Sequence, residues 1–443
     1  MEKVARCGIA LVGCGTVGSA VALLLTRETT AIRSKTGVSL ELMYIVDRDF
    51  SRARGVGLDP GLFEEELGRA LSDPGVDVVL ELVGGITIAK EIIERSLRSG
   101  KHVVTANKAL LAQHGPALMA IAEESGVSIA FEASCAGGIP VIRALYDGLI
   151  ANRIDAIYGI VNGTCNYILT EMIQKGQSFA EALSAAQRQG LAEANPHLDV
   201  SGIDSAHKLA ILAALGFGQH IDFEKIPVSG IDTLEVTDVV FGQELGYVVK
   251  LLAIAQREDE GVSLRVRPSF ISREHPLAWV SGPFNAVSVY GSAVGHTMYY
   301  GRGAGGQPTA SAVVSDVIAI ALGTVPALFK ALRIWPDRSP QAVQLPTEQI
   351  SSRFYLRVTV EDEPGVFAQL AALLGDHGIS ISSVLQKEPE PNQSEGVPVV
   401  ITTHTANEGK VMSALRRIDA LQVVKRKSVC IGIIDEPKET ISA

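Results

Sequence analysis

The chain is poor in the features that mark secreted, membrane-bound and nucleic-acid-binding proteins. Its 443 residues include five scattered cysteines without a CxxC pair, which argues against a disulfide framework and favours a reducing compartment. No run of about 18 apolar residues suggests a membrane span, and no apolar signal segment follows the N-terminus. The net charge of −10 argues against nucleic acid or an anionic membrane as the main partner. We therefore expect a soluble, cytoplasmic globular protein that acts on small molecules.

Three regions of different pattern follow one another along the chain. Over residues 1–135, short apolar strands alternate with amphipathic helices, which predicts a Rossmann-type doubly wound parallel sheet, hence an α/β fold. Residues 136–307 indicate a second, α+β domain, and a helix near 308–330 is expected to return to the first sheet. A proline-containing linker at 335–352 precedes a unit at 353–432 whose βαββαβ order is ferredoxin-like.

The segment Gly13-Cys14-Gly15-Thr16-Val17-Gly18 joins the first predicted strand to the first predicted helix. Glycines let the backbone approach a pyrophosphate, and the helix N-terminus offers N–H groups and partial positive charge. This placement predicts a dinucleotide site. Asp47-Arg48 ends the second strand, where an acid would bind ribose hydroxyls and an arginine a 2′-phosphate. Both residues are present, so the choice between NAD and NADP stays open.

Two further segments follow predicted strands. Lys108 lies at the strand edge that faces ligands in doubly wound sheets, so a cofactor or substrate contact competes evenly with a helix-capping turn. Glu132 to Ile139 sets one carboxylate beside a glycine-rich turn, which can bind a cation through carbonyls. From the residues alone, a hinge between domains is the better interpretation, with a helix expected at 139–150. No His/Cys spacing in the chain indicates a zinc site.

Residues 190–208 carry the most informative cluster, which sets Glu193, Asp199, Asp204 and Lys208 around a Pro/Gly loop that enters a helix. Asp204 and Lys208 are four apart and share a helix face, although such pairs are usually solvated surface pairs. Here an apolar run follows directly, and charge at the mouth of a buried helix is costly unless it has a use. Acids that bind an ammonium, beside a lysine that transfers a proton, suit an enzyme acting on a small amino acid.

Together these motifs resemble the homoserine dehydrogenase family, in the form that carries a C-terminal ACT domain. The resemblance covers nearly the whole chain and rests on residues 13–18, Ala106-Asn107-Lys108, Glu132 to Ile139, Asn162-Gly163-Thr164, the signature at 190–208 and the turn at 301–309. It implies the NAD- or NADP-dependent interconversion of L-aspartate 4-semialdehyde and L-homoserine, in the biosynthesis of threonine, methionine and isoleucine.

The resemblance also implies roles for single residues. Lys208 would be the catalytic acid/base, with Lys108 as a second lysine beside the reacting oxygen. Substrate contacts are implied for Glu193, Asp199, Asp204, Gly163 and Thr164. Cofactor contacts are implied for Gly13, Cys14, Gly15, Thr16, Val17, Gly18, Arg48, Lys108, Gly190 and Gly305. A sodium ion would be held by Glu132 with the carbonyls of Cys135, Gly137 and Ile139, which reverses the preference for a hinge.

The C-terminal unit contains Asp362-Glu363-Pro364-Gly365-Val366, which looks like the ligand-binding turn of ACT domains. Threonine is the effector that the resemblance implies, and the alternative is a unit that serves only for dimerisation. Its last strand is expected at 422–431, and the loop at 388–396 is expected to be mobile. The expected partners are a small substrate, threonine and further copies in a homodimer or homotetramer.

Two other functions compete with the dehydrogenase interpretation. A catalytically inactive amino-acid sensor would need missing catalytic groups, yet Lys108, Glu193, Asp204 and Lys208 are all present. A related oxidoreductase of the aspartate dehydrogenase type would not carry the full signature at 190–208. Both alternatives are therefore disfavoured by the same segment.

Overall fold

The computed structural model describes residues 5–387 and 396–437, and its first sheet contains six parallel strands. These strands are β1 (Ala5–Val12), β2 (Val38–Val46), β3 (Phe63–Glu64), β4 (Val78–Glu81), β5 (His102–Thr105) and β6 (Ile129–Ala130). The helices of this region are α1 (Thr16–Arg27), α2 (Thr29–Thr36), α3 (Ser51–Gly55), α4 (Leu67–Ser72), α5 (Thr87–Arg98) and α6 (Lys108–Glu124). The strand order β3-β2-β1-β4-β5-β6 is that of dinucleotide-binding sheets. The predicted doubly wound sheet is confirmed.

The second region is built around an antiparallel sheet. Its strands are β7 (Ile154–Ile160), β8 (Tyr247–Glu258), β9 (Gly261–Ser272), β10 (Phe284–Gly291) and β11 (Gly295–Arg302). Its helices are α7 (Val141–Arg143), α8 (Gly163–Lys175), α9 (Phe179–Arg188), α10 (His197–Val200), α11 (Ile203–Phe217) and α12 (Val236–Glu244). The chain then forms α13 (Gly306–Ala321) and α14 (Thr324–Ala331), and α13 packs along α1 of the first region.

The helix expected at 139–150 differs from that prediction. Pro140 precedes the short helix α7, which continues as a π-helical turn at Ala144–Gly148. The amides of Ile142 and Arg143 donate to the carboxylate of Glu132, both at 2.9 Å. The start of the helix is therefore tied to the preceding segment, a constraint that hydrophobic periodicity does not report.

The C-terminal region has the predicted βαββαβ order with one short extra strand. Its elements are β12 (Ser351–Val360), α15 (Val366–Asp376), β13 (Ile381–Gln386), β14 (Val397–Thr403), β15 (Ala406–Asn407), α16 (Glu408–Asp419) and β16 (Val429–Ile434). The last strand was expected at 422–431 and lies later, because the apolar residues from 429 onward pair with β12 while the charged triplet 425–427 stays outside the ladder. The loop expected to be mobile falls mostly on residues 388–395, which lie outside the described residues.

The C-terminal region and the second region share one sheet. Strand β16 pairs with β12 on one side and, in parallel, with β9 on the other, which gives the order β11-β10-β7-β8-β9-β16-β12-β14-β13. Across this junction, the buried guanidinium of Arg357 donates to Asp238 of α12 at 2.6 and 2.9 Å, and the hydroxyl of Tyr355 donates at 3.0 Å. The C-terminal region is thus joined to the second region through both the shared sheet and α12.

The segment predicted as a linker, 335–352, is held against the rest of the chain. Trp335 is 2% exposed and stacks on Phe329, and Gln341 forms a bridge with His220. Within the described ranges no single helix is long and apolar enough to cross a membrane, and α13 with α14 reaches that length only as a pair bent by 78°. The five cysteines are all free.

Candidate active site

The turn between β1 and α1 approaches the turn that follows β4. Gly13 has φ +93°, and a Cβ there would lie 2.8 Å from the carbonyl carbon of Leu82 and the amide of Val83. Only glycine fits this approach. A Cβ on Gly15 would instead meet open space, at the N-terminus of α1. The segment predicted for a dinucleotide therefore offers an open cradle beside a helix N-terminus.

A cavity of about 790 Å³ opens beside this turn. Gly13, Gly15, Asp47 and Arg48 line it. The carboxylate of Asp47 accepts from the amide of Cys14 at 2.6 Å and from that of Arg48 at 2.7 Å. One oxygen of Asp47 therefore holds the glycine turn and the other holds the turn at Arg48, while the side chain of Arg48 is exposed at the cavity.

A second cavity, of about 420 Å³, lies at the carboxyl ends of the parallel strands, where ligands bind in such sheets. Its lining residues are Val17, Glu81, Leu82, Gly84, Gly85, Ala106, Asn107, Lys108, Ala109, Glu193, Asn195, Leu198, Asp199, Asp204 and His207. Leu82 lines both cavities, so they adjoin at the turn after β4. The structure thus brings Lys108 of the first region to the acids of the signature segment.

Asp204 lies between the two predicted lysines. Its Oδ2 accepts from the ammonium of Lys208 at 2.7 Å, and its Oδ1 lies 3.0 Å from the Nζ of Lys108. Lys208 also donates to the carbonyl of Val161 at 2.7 Å and is 8% exposed. Lys108 is 38% exposed at its side chain and lies on the cavity wall, whereas Lys208 lies behind Asp204 and outside that wall.

Burial and neighbouring charges shift the pKa values of Asp204, Lys108 and Asp199. Burial alone would raise the pKa of Asp204, but the ammonium groups of Lys208 and Lys108 outweigh burial and hold it well below its usual range. Burial lowers the pKa of Lys108, and the attraction of Asp204 reverses this and leaves it raised. Burial raises the pKa of Asp199, and the nearby charge of Asp204 acts in the same direction.

Asn162 connects the acids to the first turn of α8. Its Nδ2 donates to Asp199 at 2.8 Å and to Asp204 at 3.0 Å, and its Oδ1 accepts from the amide of Cys165 as the N-cap of α8. Thr164 donates through its hydroxyl to the carbonyl of Leu191 at 2.8 Å. Thr164 therefore holds the signature segment from the other side, while Gly163 lies against Pro283, and neither residue lines the two cavities.

Some of the predicted residues are not brought to the cavities. Gly190 is exposed at the end of α9 and Gly305 is exposed at the start of α13, and neither lines the two cavities described above. The turn at Gly305 nevertheless lies near α1, since a Cβ on the next residue, Gly306, would lie 3.2 Å from the carbonyl oxygen of Thr16. Gly18 packs against the carbonyl of Gly13 rather than facing a cavity.

The predicted sodium segment is buried at the junction of the first two regions. Glu132 is 4% exposed and borders a cavity of about 220 Å³ together with Gly138 and Ile139. Cys135 is fully buried, with its thiol 3.8 Å from the carbonyl oxygen of Lys208. Among the described residues, no group of three or more His, Cys, Asp or Glu side chains is arranged to hold a metal ion.

Sequence reasoning did not assign three side chains to this site, although His207 was noted beside the acidic cluster as a histidine more often packed or exposed than a ligand. Glu81, at the end of β4, lines the cavity with its carboxylate fully buried. His207 shares a helix face with Asp204 and stacks on Phe223 at 4.5 Å. Asn162 was noted only as part of a motif, without its bridge between the two aspartates. For Glu81 a signal existed, because it is an acid near a strand end and a Gly-Gly pair follows it after Leu82 and Val83.

Comparison with known proteins decides the family. Residues 13–132 match the homoserine dehydrogenase NAD-binding domain, 140–318 match the homoserine dehydrogenase family and 354–420 match the ACT domain. The homoserine dehydrogenase of Pseudomonas aeruginosa is 42% identical over 428 residues, which cover 96% of this chain and 98% of that protein. The chain belongs to the homoserine dehydrogenase family.

Solved structures of homoserine dehydrogenases agree with this. The enzyme from Thiobacillus denitrificans is 40% identical, with a TM-score of 0.91 and coverage of 97% of this chain and 98% of that one. A hyperthermophilic archaeal homoserine dehydrogenase in complex with NADPH is 26% identical, with a TM-score of 0.61 and coverage of 72% and 98%. The chain is therefore an NAD(P)-dependent oxidoreductase of this family, and it carries an ACT domain.

Proposed function

We propose that the chain interconverts L-aspartate 4-semialdehyde and L-homoserine in the 420 Å³ cavity, with the dinucleotide bound along both cavities. The observation that carries this proposal is the cluster in which Asp204 lies between Lys108 and Lys208, beside Glu193 and Asp199. A lysine and these three acids on the cavity wall, with a second lysine directly behind Asp204, suit a reaction that moves a proton at an amino-acid alcohol or aldehyde.

The residues around the glycine turn fit a nicotinamide dinucleotide. Gly13 and Gly15 leave room for a pyrophosphate at the N-terminus of α1, and the cavity wall continues past Leu82 to Lys108. When bound, the nicotinamide supplies or accepts the hydride. Arg48 would contact a 2′-phosphate, whereas Asp47 uses both oxygens on backbone amides, which supports NADP. The acids Glu65, Glu66 and Glu91 line the same cavity, and their negative charge disfavours a 2′-phosphate there.

The lysines move the proton. In reduction, hydride addition at the aldehyde carbon leaves an alkoxide, and an ammonium group donates a proton to that oxygen. Lys208 spends two of its three N–H groups on Val161 and Asp204, which leaves one for the substrate oxygen. Lys108 lies on the wall and brings a positive charge to the same oxygen. In oxidation the proton returns to the lysine, with Asp204 stabilising the ammonium.

The acids hold the substrate's ammonium group. Glu193 is exposed on the cavity wall, and Asp199 is half-buried there with one oxygen accepting from Asn162. Asp204 already accepts from both lysines, so its main effect is to orient them. Glu193 and Asp199 are the groups left for a charge-assisted hydrogen bond to the substrate.

The segment from Glu132 to Ile139 supports a sodium ion as part of the proposal. Each oxygen of Glu132 accepts one backbone N–H and retains a second lone pair, and the 220 Å³ cavity adjoins it. Ala136 has φ +54°, which turns this segment sharply beside Cys135 and Gly137. Activity measured in sodium and in potassium salts at equal ionic strength tests the assignment.

The ACT domain supports regulation by threonine. Gly365 has φ +90° and caps α15 directly after the turn of Asp362 and Glu363, so the turn presents the helix N-terminus to a ligand. The shared sheet between β16 and β9 gives a ligand there a physical connection to the second region. A titration of activity with threonine, in wild type and Asp362→Ala, tests the effector against a purely structural ACT domain.

A homo-oligomer is supported by an uncovered strand edge. Strand β11 lies at the edge of the shared sheet and exposes Met298 and Tyr300, and Trp279 is 79% exposed. Native proteins usually cover unpaired edges and exposed aromatic groups. A second copy would do so here, in a homodimer or homotetramer, and sedimentation velocity distinguishes these from a monomer.

The experiment that tests the proposed function is oxidation of L-homoserine, followed by absorbance of the reduced cofactor, with NAD and NADP in parallel. We expect turnover with at least one cofactor, and the ratio of kcat/KM values decides between Asp47 and Arg48. A folded chain that turns over with neither would favour the inactive amino-acid sensor.

A further inference from the structure

The carboxylate of Glu81 is buried at the wall of the 420 Å³ cavity, and no salt bridge joins it to a cationic side chain among the described residues. Its Oε1 accepts from the amides of Val83 at 2.9 Å and Gly84 at 3.1 Å, and its Oε2 accepts from the hydroxyl of Thr105 at 2.7 Å. Burying a carboxylate is costly unless hydrogen bonds replace its hydration. Here three neutral donors replace it, and all three belong to the two strand ends that border the cavities.

The first two donors belong to the turn that separates the cavities. Leu82 lines both cavities, Val83 lines the larger one, and Gly84 and Gly85 line the smaller one. Gly84 and Gly85 have φ values of +80° and +73°. Because glycine has wide conformational freedom, the backbone of this turn is not fixed by its own side chains. The two amide bonds to Glu81 fix where the turn lies, and with it the shared wall.

The third donor connects Glu81 to Lys108. Thr105 accepts through its hydroxyl oxygen from the amide of Asn107 at 3.0 Å, and Asn107 donates from Nδ2 to the carbonyl of Gly85 at 2.6 Å. Asn107 is also the N-cap of α6, whose first residue is Lys108. The turn, the strand end and the helix start therefore form one closed network with Glu81 at its base.

We propose that Glu81 is a positioning residue that sets the turn at residues 82–85 against the dinucleotide and, through Thr105 and Asn107, sets Lys108 against the substrate. The proposal rests on the proposed location of the cofactor along the two cavities. Glu81 thereby fixes the position of the cofactor-binding turn relative to Lys108.

The variants Glu81→Ala and Glu81→Gln test this in the whole chain. The alanine removes all three bonds, and we expect the dissociation constant of the preferred dinucleotide to rise about tenfold and kcat to fall about tenfold or more. The glutamine can still accept from Val83 and Gly84 and can donate to Thr105, so both quantities should stay within about threefold of wild type. Calorimetric titration with the dinucleotide alone measures binding without turnover.

A control carboxylate lies at the end of α4, in the turn that precedes β4. Asp73, before β4, accepts from the amide of Gly75 at 2.7 Å and from the hydroxyl of Tyr44 at 2.8 Å, away from both cavities. Asp73→Ala removes similar bonds, so we expect a lower melting temperature with unchanged dinucleotide affinity and kcat. An equal effect of Asp73→Ala and Glu81→Ala on these constants would overturn the proposal.

Thr105→Val separates the two arms of the network and serves if Glu81→Ala does not fold. It keeps the bonds of Glu81 to the turn and removes the connection to Asn107, so kcat should fall severalfold while dinucleotide affinity changes less than about twofold. Unchanged kcat in Thr105→Val, or unchanged dinucleotide affinity in a folded Glu81→Ala, would refute the role of Glu81 and leave the proposed function intact. A wild-type chain that binds neither NAD nor NADP would refute the proposed function as well.

Discussion

Two buried aspartates each accept hydrogen bonds from neighbouring side chains, but one lies at the candidate active site and the other at a junction between regions. Asp204 lies between Lys108 and Lys208 on the wall of an open cavity. Asp238 accepts from Arg357 and Tyr355 in the sealed junction between α12 and the ACT sheet, with its side chain 1% exposed. The acids and distances are alike, but the partners and the access to solvent differ.

The difference follows from the chemistry of the cations. A lysine ammonium is a point charge that can give up a proton, whereas a guanidinium keeps its proton in proteins and binds a carboxylate through two parallel bonds. Arg357 makes such a two-pronged contact at 2.6 and 2.9 Å. The lysine cluster therefore suits proton transfer at a ligand, and the arginine pair suits a permanent joint between regions.

Of the variants considered, replacement of Lys208 should cause the largest loss of catalytic activity. We expect Lys208→Ala to lose about 10²- to 10⁴-fold in kcat, the usual contribution of a positioned acid or base. Lys208→Arg keeps the positive charge next to Asp204 but cannot transfer a proton, so it should not restore turnover. Dinucleotide affinity should change little in either variant. Steady-state kinetics and calorimetric titration measure the two quantities.

Lys108→Ala provides the control for this prediction, because Lys108 and not Lys208 lies on the cavity wall. If Lys208 is the proton donor, Lys208→Ala should reduce kcat more than Lys108→Ala does. The reverse order would move the donor role to Lys108. Turnover like that of wild type in Lys208→Ala would remove Lys208 from the mechanism.

Replacing Asp238 should affect stability rather than chemistry. Asp238→Ala leaves the guanidinium of Arg357 buried with only the half-exposed Glu235 nearby, and such uncompensated charges cost about 3 kcal/mol of unfolding free energy. The double variant Asp238→Leu/Arg357→Met should recover most of this loss. Urea unfolding measures both, and a loss below about 1 kcal/mol in the single variant would contradict the prediction. The kcat of folded Asp238→Ala should stay within about twofold of the wild-type value.

Replacing Glu193 should sharpen the contrast between substrate binding and proton transfer. Glu193→Ala removes one acceptor for the substrate's ammonium group, and we expect KM for L-homoserine to rise about tenfold, as for loss of a charged hydrogen bond. Since kcat depends on the lysines, it should fall far less than in Lys208→Ala. Glu193→Gln retains an acceptor oxygen, so its KM should lie between those of wild type and Glu193→Ala. An unchanged KM would argue against substrate contact by Glu193.

The pH dependence of stability should show the smallest effect. Asp204 has a lowered pKa, so its contribution is complete above the unfolded value of about 3.9 and is lost as pH falls through the folded value. Lys108 has a raised pKa, so its contribution is complete below about 10.4 and is lost as pH rises through the folded value. Burial lowers the pKa of His207 and the charge of Asp204 acts against this, so the imidazole adds a pH dependence below about pH 6.5. The difference in unfolding free energy between wild type and Asp204→Asn should therefore be constant from about pH 7.5 to 9 and shrink at both extremes. A slope within that window would contradict this assignment.

Local pattern predicted most of the fold and part of the site. The alternation of apolar strands and amphipathic helices predicted the parallel sheet, and the Gly13–Gly18 turn lies where the strand–helix junction put it. The break after Pro140 and the late start of β16 were missed, because both depend on contacts with residues far away in the chain. Glu81 was missed for a related reason, since its partners at Thr105 and Gly84 come from separate strand ends.

The sequence alone determined which chemical groups are available, because the signature acids, Lys208 and the glycine turn are recognisable at fixed spacing. Only the tertiary structure decided how they combine. It brings Lys108 to Asp204, puts Lys208 behind that carboxylate, and joins the ACT sheet to the second region through β16 and β9. Spacing along the chain fixes neighbours within one helix or turn, whereas contacts between elements depend on how buried faces and strand edges pair across the fold.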